Sequence, residues 1–473
     1  LTSNQTYTVE NYGTLTLESG TIQSTKDSVS AAAVYNRYSS TKGSGVLHMS
    51  GGTLNATKGC ALKIISTIQK DSDIFGGTLS GTVDAPVGKL RITGGKFIAD
   101  ISPYLGAGQG TVQENGYYSV SETSLTAETA VAQIEDGEYY ASVVGALAAA
   151  EDNKTVTVLK NATESAGVTY TGTGVMLDLN GKTVDMGSKK ITVSGRLTIK
   201  DSAGSGKLTG SNEVITVNQN ASLTLENGTV EATGSTAIKL AYSSGMSFTM
   251  RGGTVKGAGK TVDALRGTVT ITGGRVETSS TKTYEYAVQN YYGEATITIG
   301  TADGGKDDVY ITSVQGDKDA ELTIHSGTVG KIGGAINTTD TINGYIEQDF
   351  SAILPAGKIC ESYTYGGKTY YRIADLTEEN AQAKIGDTLY ASAATAAEAL
   401  KDNETLTLLK DITGEGAGDD GLLEIEARNV IIDLNGHSVT NNADDGVGIS
   451  VKNPNKSPLA DCTATIKNDG APA

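Results

Sequence analysis

One short phrase recurs along this chain at the length of a single coil, and it restricts the fold more than any other feature. Ser19-Gly20-Thr21-Ile22, Gly51-Gly52-Thr53-Leu54, Gly76-Gly77-Thr78-Leu79 and Gly94-Gly95-Lys96-Phe97 mark the first part. Asn227-Gly228-Thr229-Val230, Gly252-Gly253-Thr254-Val255, Gly273-Gly274-Arg275-Val276 and Ser326-Gly327-Thr328-Val329 mark the second. Gly52 and Gly77 stand 25 residues apart, Gly228 and Gly253 also 25, and Gly253 and Gly274 21. Glycine supplies the positive φ that a corner needs. The alternation around it sends one side chain inward and the next outward. In Ser222-Leu223-Thr224-Leu225 the leucines point in, and Gly267-Thr268-Val269-Thr270-Ile271 reads the same way. A coil this short cannot bury its own apolar face, so coils must stack. A β-sandwich also has short strands and turns, but one phrase repeated at coil length favours a solenoid.

Composition agrees. The 473 residues include 60 glycines, 6 prolines, 4 phenylalanines and no tryptophan, whereas a compact core of this mass leans on large aromatics. Val, Ile, Leu and Ala alternating with Thr, Ser and Asn is strand composition. The net charge of −17 repels phosphate backbones, which argues against nucleic-acid partners. Cys60, Cys360 and Cys462 are too few and too scattered for a disulfide framework or a zinc spacing, and read as small apolar residues. No run is apolar enough to span a membrane. The chain opens inside a strand pattern and closes just after a new unit begins. It is therefore read as a piece of a longer one, with export and anchoring signals outside it.

A second, longer period encloses the first. Ala141-Ser142 matches Ala391-Ser392, and Asp152-Asn153-Lys154-Thr155-Val156 resembles Asp402-Asn403-Glu404-Thr405-Leu406, both displaced by 250. Asp178-Leu179-Asn180-Gly181 recurs as Asp433-Leu434-Asn435-Gly436, displaced by 255. The expected organisation is the C-terminal part of one module over 1–120, a complete module over 121–373 and the start of a third over 374–473. Segments 140–150 and 391–400 have helical apolar periodicity. Placed before the first coil of a module, such a helix is expected to cover the solenoid's open end and its unpaired strand edges.

A capping helix, a strand over 155–159, Leu177-Asp178-Leu179-Asn180-Gly181-Lys182-Thr183-Val184 and then Gly-Gly-Thr coils together resemble the pectin-lyase-like right-handed β-helix superfamily. More narrowly, they resemble the β-helix modules of large, repetitive, wall-associated adhesin-like proteins of Gram-positive, often gut-dwelling, bacteria. Asn115-Gly116-Tyr117-Tyr118-Ser119-Val120 looks like the closing phrase of such a module. The resemblance spans nearly the whole chain. It implies an all-β fold of tandem right-handed single-stranded parallel β-helices, each with a short N-terminal capping helix, and an extracellular, cell-surface location. It says little about activity, because the superfamily holds lyases, hydrolases, phage spikes and adhesins.

The sequence offers no convincing catalytic or metal site. A lyase or hydrolase on this scaffold needs clustered carboxylates, for a lyase with a basic partner. The acidic pairs Asp307-Asp308, Asp419-Asp420 and Asp444-Asp445, and the nearby Asp71 and Asp73, sit in Gly- or Ser-containing loops where acids are usually just solvated. The loop 303–308 has oxygen ligands for one isolated calcium, but it occurs once and contains Lys306, so that question stays open. His48, His325 and His437 are far apart in sequence. Asp178-Leu179-Asn180-Gly181 reads as a structural corner, since Asn-Gly favours a tight turn and Asp accepts neighbouring backbone N–H groups. No cofactor is expected.

Tyrosine is the more informative residue, with 22 copies. An Ala-(Val/Ile) phrase with a Tyr five residues after the Ala recurs at Ala33…Tyr38, Ala237…Tyr242 and Ala287…Tyr292. With coils in register, Tyr242 and Tyr292 share one edge, with Tyr284, Tyr286 and Tyr291 near them and Tyr38 on the same edge of the preceding module. Such rings suit a sugar or a protein partner; as a structural ladder they stiffen the edge instead. The leading expectation is a non-enzymatic adhesin-like module that binds host or wall glycans, or a host protein, along these tyrosines. Repetition of the module would raise avidity. The alternatives are a polysaccharide-active enzyme, which calls for a strip of acids and bases from consecutive coils, and a pure spacer; an ice-binding surface is remote. End-to-end association through exposed strand edges is a further expectation.

Overall fold

The computed structural model describes residues 1–473 apart from 136, 291–293, 318, 338, 356, 416–420, 445, 453–462 and 471–473. It divides into two compact units, Leu1–Gln315 with His325–Thr328, and Gly316–Ile324 with Val329–Ala473. Both are built of parallel β-solenoid coils, about 17 in all among the described residues. Among the described residues the fold is all-β apart from two short α-helices, and it agrees with the right-handed hand that parallel crossovers adopt.

In the first unit, Thr21–Ser24, Thr53–Ile64, Thr78–Asp84 and Lys96–Phe97 pair in parallel, so that Ile22, Leu54, Leu79 and Phe97 form one inward column. The stack ends in an antiparallel hairpin, Thr111–Glu114 with Tyr117–Val120, which also pairs Phe97 with Tyr118. A second stack runs through Thr155–Val158, Thr173–Asp178, Arg196–Lys200, Ser222–Leu225, Ser247–Met250, Gly267–Ile271 and Ala295–Ile299. Its core is two columns of like residues, Val175-Leu197-Leu223-Phe248-Val269-Ile297 and Leu177-Ile199-Leu225-Met250-Ile271-Ile299. Another face carries Ile191–Val193, Ile215–Val217, Ile238–Leu240, Val262–Ala264 and Val288–Asn290 in parallel register.

The corners explain why the phrase holds two glycines. The second takes a positive φ, +75° at Gly52, +87° at Gly77 and +90° at Gly274. The first has no room for a side chain: a Cβ on Gly51 would lie 2.2 Å from the Glu18 carbonyl oxygen, and one on Gly273 2.2 Å from that of Arg251. At these corners the neighbouring coil comes to ladder spacing because this Cβ is missing.

The second stack opens with helix α1, Val143–Ala149, and Ser142 caps it by accepting from the Gly145 amide at 2.9 Å. Val143, Val144, Ala146 and Leu147 are buried, so the helix covers the apolar end of the coil. The hydrogen-bonding edge is closed differently from the expectation. A helix spends its mid-segment backbone groups on its own turns and cannot pair along an edge strand. That task falls to Ala132–Ile134, which pairs antiparallel with both Glu138–Tyr140 and Thr155–Val158. Glu164 reaches the N-terminus of the helix, and the Val143 amide donates to Oε1 at 2.7 Å. The residue is 4 % exposed and Oε2 completes no well-formed hydrogen bond. Burial pushes the carboxyl up to about 7, against the pull of the Val143 and Val144 amides, and nearby Asp100 adds to the rise.

Asp178-Leu179-Asn180-Gly181 forms a corner with positive φ at both Asn180 and Gly181. Asp178 Oδ1 accepts from the amides of Asn180 at 2.9 Å and Ser202 at 3.0 Å, stitching one coil to the next. In the second unit Asp433 does the same for the Asn435 and Asp469 amides.

The second unit repeats the opening arrangement. Helix α2, Ala393–Ala399, follows the antiparallel pair Ala383–Ile385 and Thr388–Tyr390. Ala383–Ile385 in turn pairs antiparallel with Thr405–Leu408, which begins a parallel ladder through Val430–Asp433 and Ala464–Lys467. Upstream, Lys358–Tyr365 and Lys368–Asp375 form a long antiparallel hairpin. Among the described residues no helix is long and apolar enough to cross a membrane.

Candidate functional site

The described tyrosines among those singled out from the sequence fall into three places. Ile238, Val262 and Val288 occupy one column, so Ala237 and Ala287 stand in register two coils apart. Tyr242 follows Ile238–Leu240 and is 54 % exposed. Tyr291 and Tyr292 lie outside the described residues. Tyr284, 64 % exposed, and Tyr286, half-buried, precede Val288–Asn290 and so lie at the opposite end of this strand column from Tyr242. They do not join Tyr242 on one edge, because the turn that carries them enters the strand and Tyr242 leaves it. Tyr38, 39 % exposed, lies in the small antiparallel pair Tyr38–Ser39 and Gly43–Ser44 of the first stack.

Around Tyr242, three consecutive coils each contribute one side chain. The Arg266 guanidinium lies 3.9 Å from the Tyr242 ring centroid, and its Nη2 donates to the phenolic oxygen at 2.9 Å and to Glu294 Oε1 at 2.9 Å. The Tyr242 hydroxyl donates to the same carboxylate oxygen at 3.3 Å. The hydrogen bond from Arg266 is the main reason the Glu294 carboxyl sits below its ordinary range. A ring stacked on a guanidinium and tied at its hydroxyl has lost its rotamer freedom before any ligand arrives.

The other end of the same strands carries a strip of charge that the sequence reading missed. Glu213 is held by Lys190 at 2.9 Å and Lys239 at 2.6 Å, from the coils on either side. Lys239 neighbours Asp263 in the ladder, Asp263 neighbours Gln289, and Lys260 lies 3.8 Å from Asp263. Farther on, Lys282 pairs with Glu285 at 3.0 Å. Burial raises the Glu213 carboxyl, but hydrogen bonds from Lys239 and Lys190 outweigh it and bring the group to about 2. Asp263 moves the other way, raised chiefly by burial; its side chain is 9 % exposed and Oδ1 has no hydrogen-bond partner. Because the Glu213 carboxyl is depressed, its stabilising effect is present above about pH 4.5 and is lost as the pH falls towards 2. Replacing it, Glu213→Gln, is expected to cost about 1–2 kcal/mol at neutral pH. Urea melts of the two proteins should converge in strong acid, and a gap that persists there contradicts the assignment.

Asp71, Asp73, Asp307 and Asp308 are engaged locally. Asp308 Oδ2 accepts from the Gly305 amide at 2.6 Å and Asp307 pairs with Lys306 at 2.7 Å. Asp71 pairs with Lys89 at 3.0 Å, and Asp73 with Arg91 at 2.9 Å and with His48. Asp419, Asp420, Asp445 and Cys462 lie outside the described residues. Among the described residues no three His, Cys, Asp or Glu side chains gather as a metal site. Cys60 is buried and Cys360 half-buried, and burial pushes the Cys360 thiol up to about 11.

Comparison with known proteins finds no matching family model, no matching curated protein and no matching solved structure. The functional reading therefore rests on geometry.

Proposed function

We propose that this chain is a non-enzymatic, adhesin-like β-helix module of a bacterial surface that binds a glycan or a host protein along the edge bearing Tyr242. The observation that carries the reading is the Tyr242–Arg266–Glu294 cluster, an exposed aromatic ring fixed in place by side chains from two further coils. Rigid, amphipathic rings of this kind offer a flat apolar face and a polar tip at low entropic cost. The likeness of the Gly-Gly-Thr coils and the Asp178–Gly181 corner to pectin-lyase-like modules of wall-associated proteins supports the surface location. Binding of the chain to an array of host and bacterial glycans and mucosal proteins, including immunoglobulins, tests it. Tyr242→Ala is expected to weaken the retained ligand about tenfold, as loss of a central aromatic contact does. Unchanged retention would leave the chain a spacer.

A polysaccharide-active enzyme is the second reading, and Glu213 with Asp263 is the observation that favours it. Carboxyls whose environments drive them in opposite directions are the usual makings of an acid and base pair. Against it, Lys190 and Lys239 already occupy Glu213, and Asp263 is buried. Breakdown of any polysaccharide on the array, lost in Glu213→Gln, would overturn the non-enzymatic reading.

A further inference from the structure

Within the first unit, the end of the first stack meets the start of the second in a groove of about 450 Å³. Tyr35, Lys63 and Asp84 line one side, Lys189 and Lys190 the other. A second hollow of about 510 Å³, lined by Lys189, Lys190 and Glu213, shares residues with it. Three cations face one carboxylate in the groove, on a chain whose net charge is −17. The local sign is thus opposite to that of the whole molecule.

The cations are only partly satisfied. Lys189 is half-buried and makes no ion pair with a described residue, and Lys63 Nζ comes no closer than 3.7 Å to Asp84. Lys190 is shared with Glu213. Tyrosines order this surface from beneath. Lys63 Nζ lies 5.6 Å from the Tyr35 ring centroid, and the Arg37 guanidinium bridges the rings of Tyr35 and Tyr12 at 5.3 and 5.7 Å. Lys42, exposed and without an ion pair among the described residues, continues the row over Tyr12 at 5.0 Å. The ladder sets this order, since Glu10, Tyr35 and Lys63 occupy one outward column and Lys63 pairs on to Asp84. Glu10 engages Arg37, so the lysines carry the outward charge.

We infer that this groove binds an anionic saccharide, through its carboxylate or sulfate groups, at the joint between successive solenoid stacks. The occupant follows from charge complementarity. The Lys63 ammonium, held over the Tyr35 ring, and the Lys189 ammonium meet the acidic substituents, and a groove of about 450 Å³ has room for a sugar residue. Lys63 and Lys189 line the groove from different stacks, so neither stack alone holds both. The site is separate from the Tyr242 edge and does not depend on it.

The test titrates the full chain with labelled oligogalacturonate, with dextran sulfate and with neutral dextran, at low and at high salt. Acidic oligosaccharide is expected to bind and neutral dextran not to, with affinity falling as salt rises. Lys63→Ala combined with Lys189→Ala should weaken binding about tenfold. Both lysines are surface groups, and an unchanged thermal melt verifies that the double variant folds. Tyr242→Ala should leave this binding as it is. Oligogalacturonate alone identifies carboxylate sugars, dextran sulfate alone sulfated ones, and either supports the inference. Absence of binding, equal binding of neutral dextran, or full binding by the double variant overturns it.

Discussion

Glu164→Gln is expected to remove a loss of stability that the native protein undergoes as the pH rises through about 7. Glu164 is buried at the N-terminus of α1, and its carboxyl is raised from 4.5 to about 7. A raised carboxyl binds its proton more tightly in the folded chain than in the unfolded one. Its favourable contribution is therefore complete below about 4.5 and disappears as the pH climbs through about 7. At 1.36 kcal/mol per unit the full swing is on the order of 3 kcal/mol. Asp100, which accepts from Ser165 Oγ at 2.9 Å, is the nearby acid that raises Glu164 further. Gln keeps the acceptor for the Val143 amide but cannot ionise. Melting temperatures across this range should fall for the native protein and stay flatter for the variant. Parallel curves for the two proteins would falsify the role given to Glu164. No such dependence is expected from the other helix, where Gly414 follows Thr413 as Glu164 follows Thr163, and where Gln382 meets the Ala393 amide at 3.1 Å.

The second large effect is steric. Gly273→Ala should destabilise the second stack by about 3 kcal/mol, the upper end of what one added methyl costs in a packed interior. Its Cβ would meet the Arg251 carbonyl oxygen at 2.2 Å and the carbonyl carbon at 3.0 Å. Both atoms belong to the backbone of the neighbouring coil, and the ladder fixes the distance between coils, so nothing nearby can swing aside. Gly13→Ala is the matched control, because a Cβ there meets nothing within 4 Å and its φ is not in the left-handed region. Heat or urea melts of both variants measure the difference. A Gly273→Ala protein as stable as Gly13→Ala would show that the corner has more room than its geometry allows.

These two predictions mark what the sequence could and could not disclose. The coil period, inward columns such as Leu223-Phe248-Val269 and both helices were readable, because each rests on local alternation or on spacing along the chain. The demand for the second glycine of each phrase was readable for the same reason. The first glycine's role was not, since it depends on a carbonyl one coil away. Lys190, Glu213 and Lys239 stand 23 and 26 residues apart, and nothing in that spacing announces a contact until strand register places them side by side. Tyr242 and Tyr284 misled in the opposite sense. They are near each other in coil count, but they flank a strand column from its two ends. Glu164 sits in the polar run Asn161-Ala162-Thr163-Glu164-Ser165, where a solvated acid is the ordinary expectation. Its burial comes from contacts distant in sequence, the N-terminus of α1 and the segment around Asp100.

The one-coil register also has a mechanical meaning. Each rung of the second stack, as in Leu223 beside Phe248, joins residues one coil apart, so in the backbone ladder a coil is bonded to the coil before and the coil after. Tension drawn along the chain therefore loads one ladder at a time and not all of them together. A coil of about 25 residues that peels away lengthens the tether by roughly 8 nm. Under load such a stack is expected to yield in increments, as a shock absorber does, while the coils still stacked keep their register and their exposed side chains.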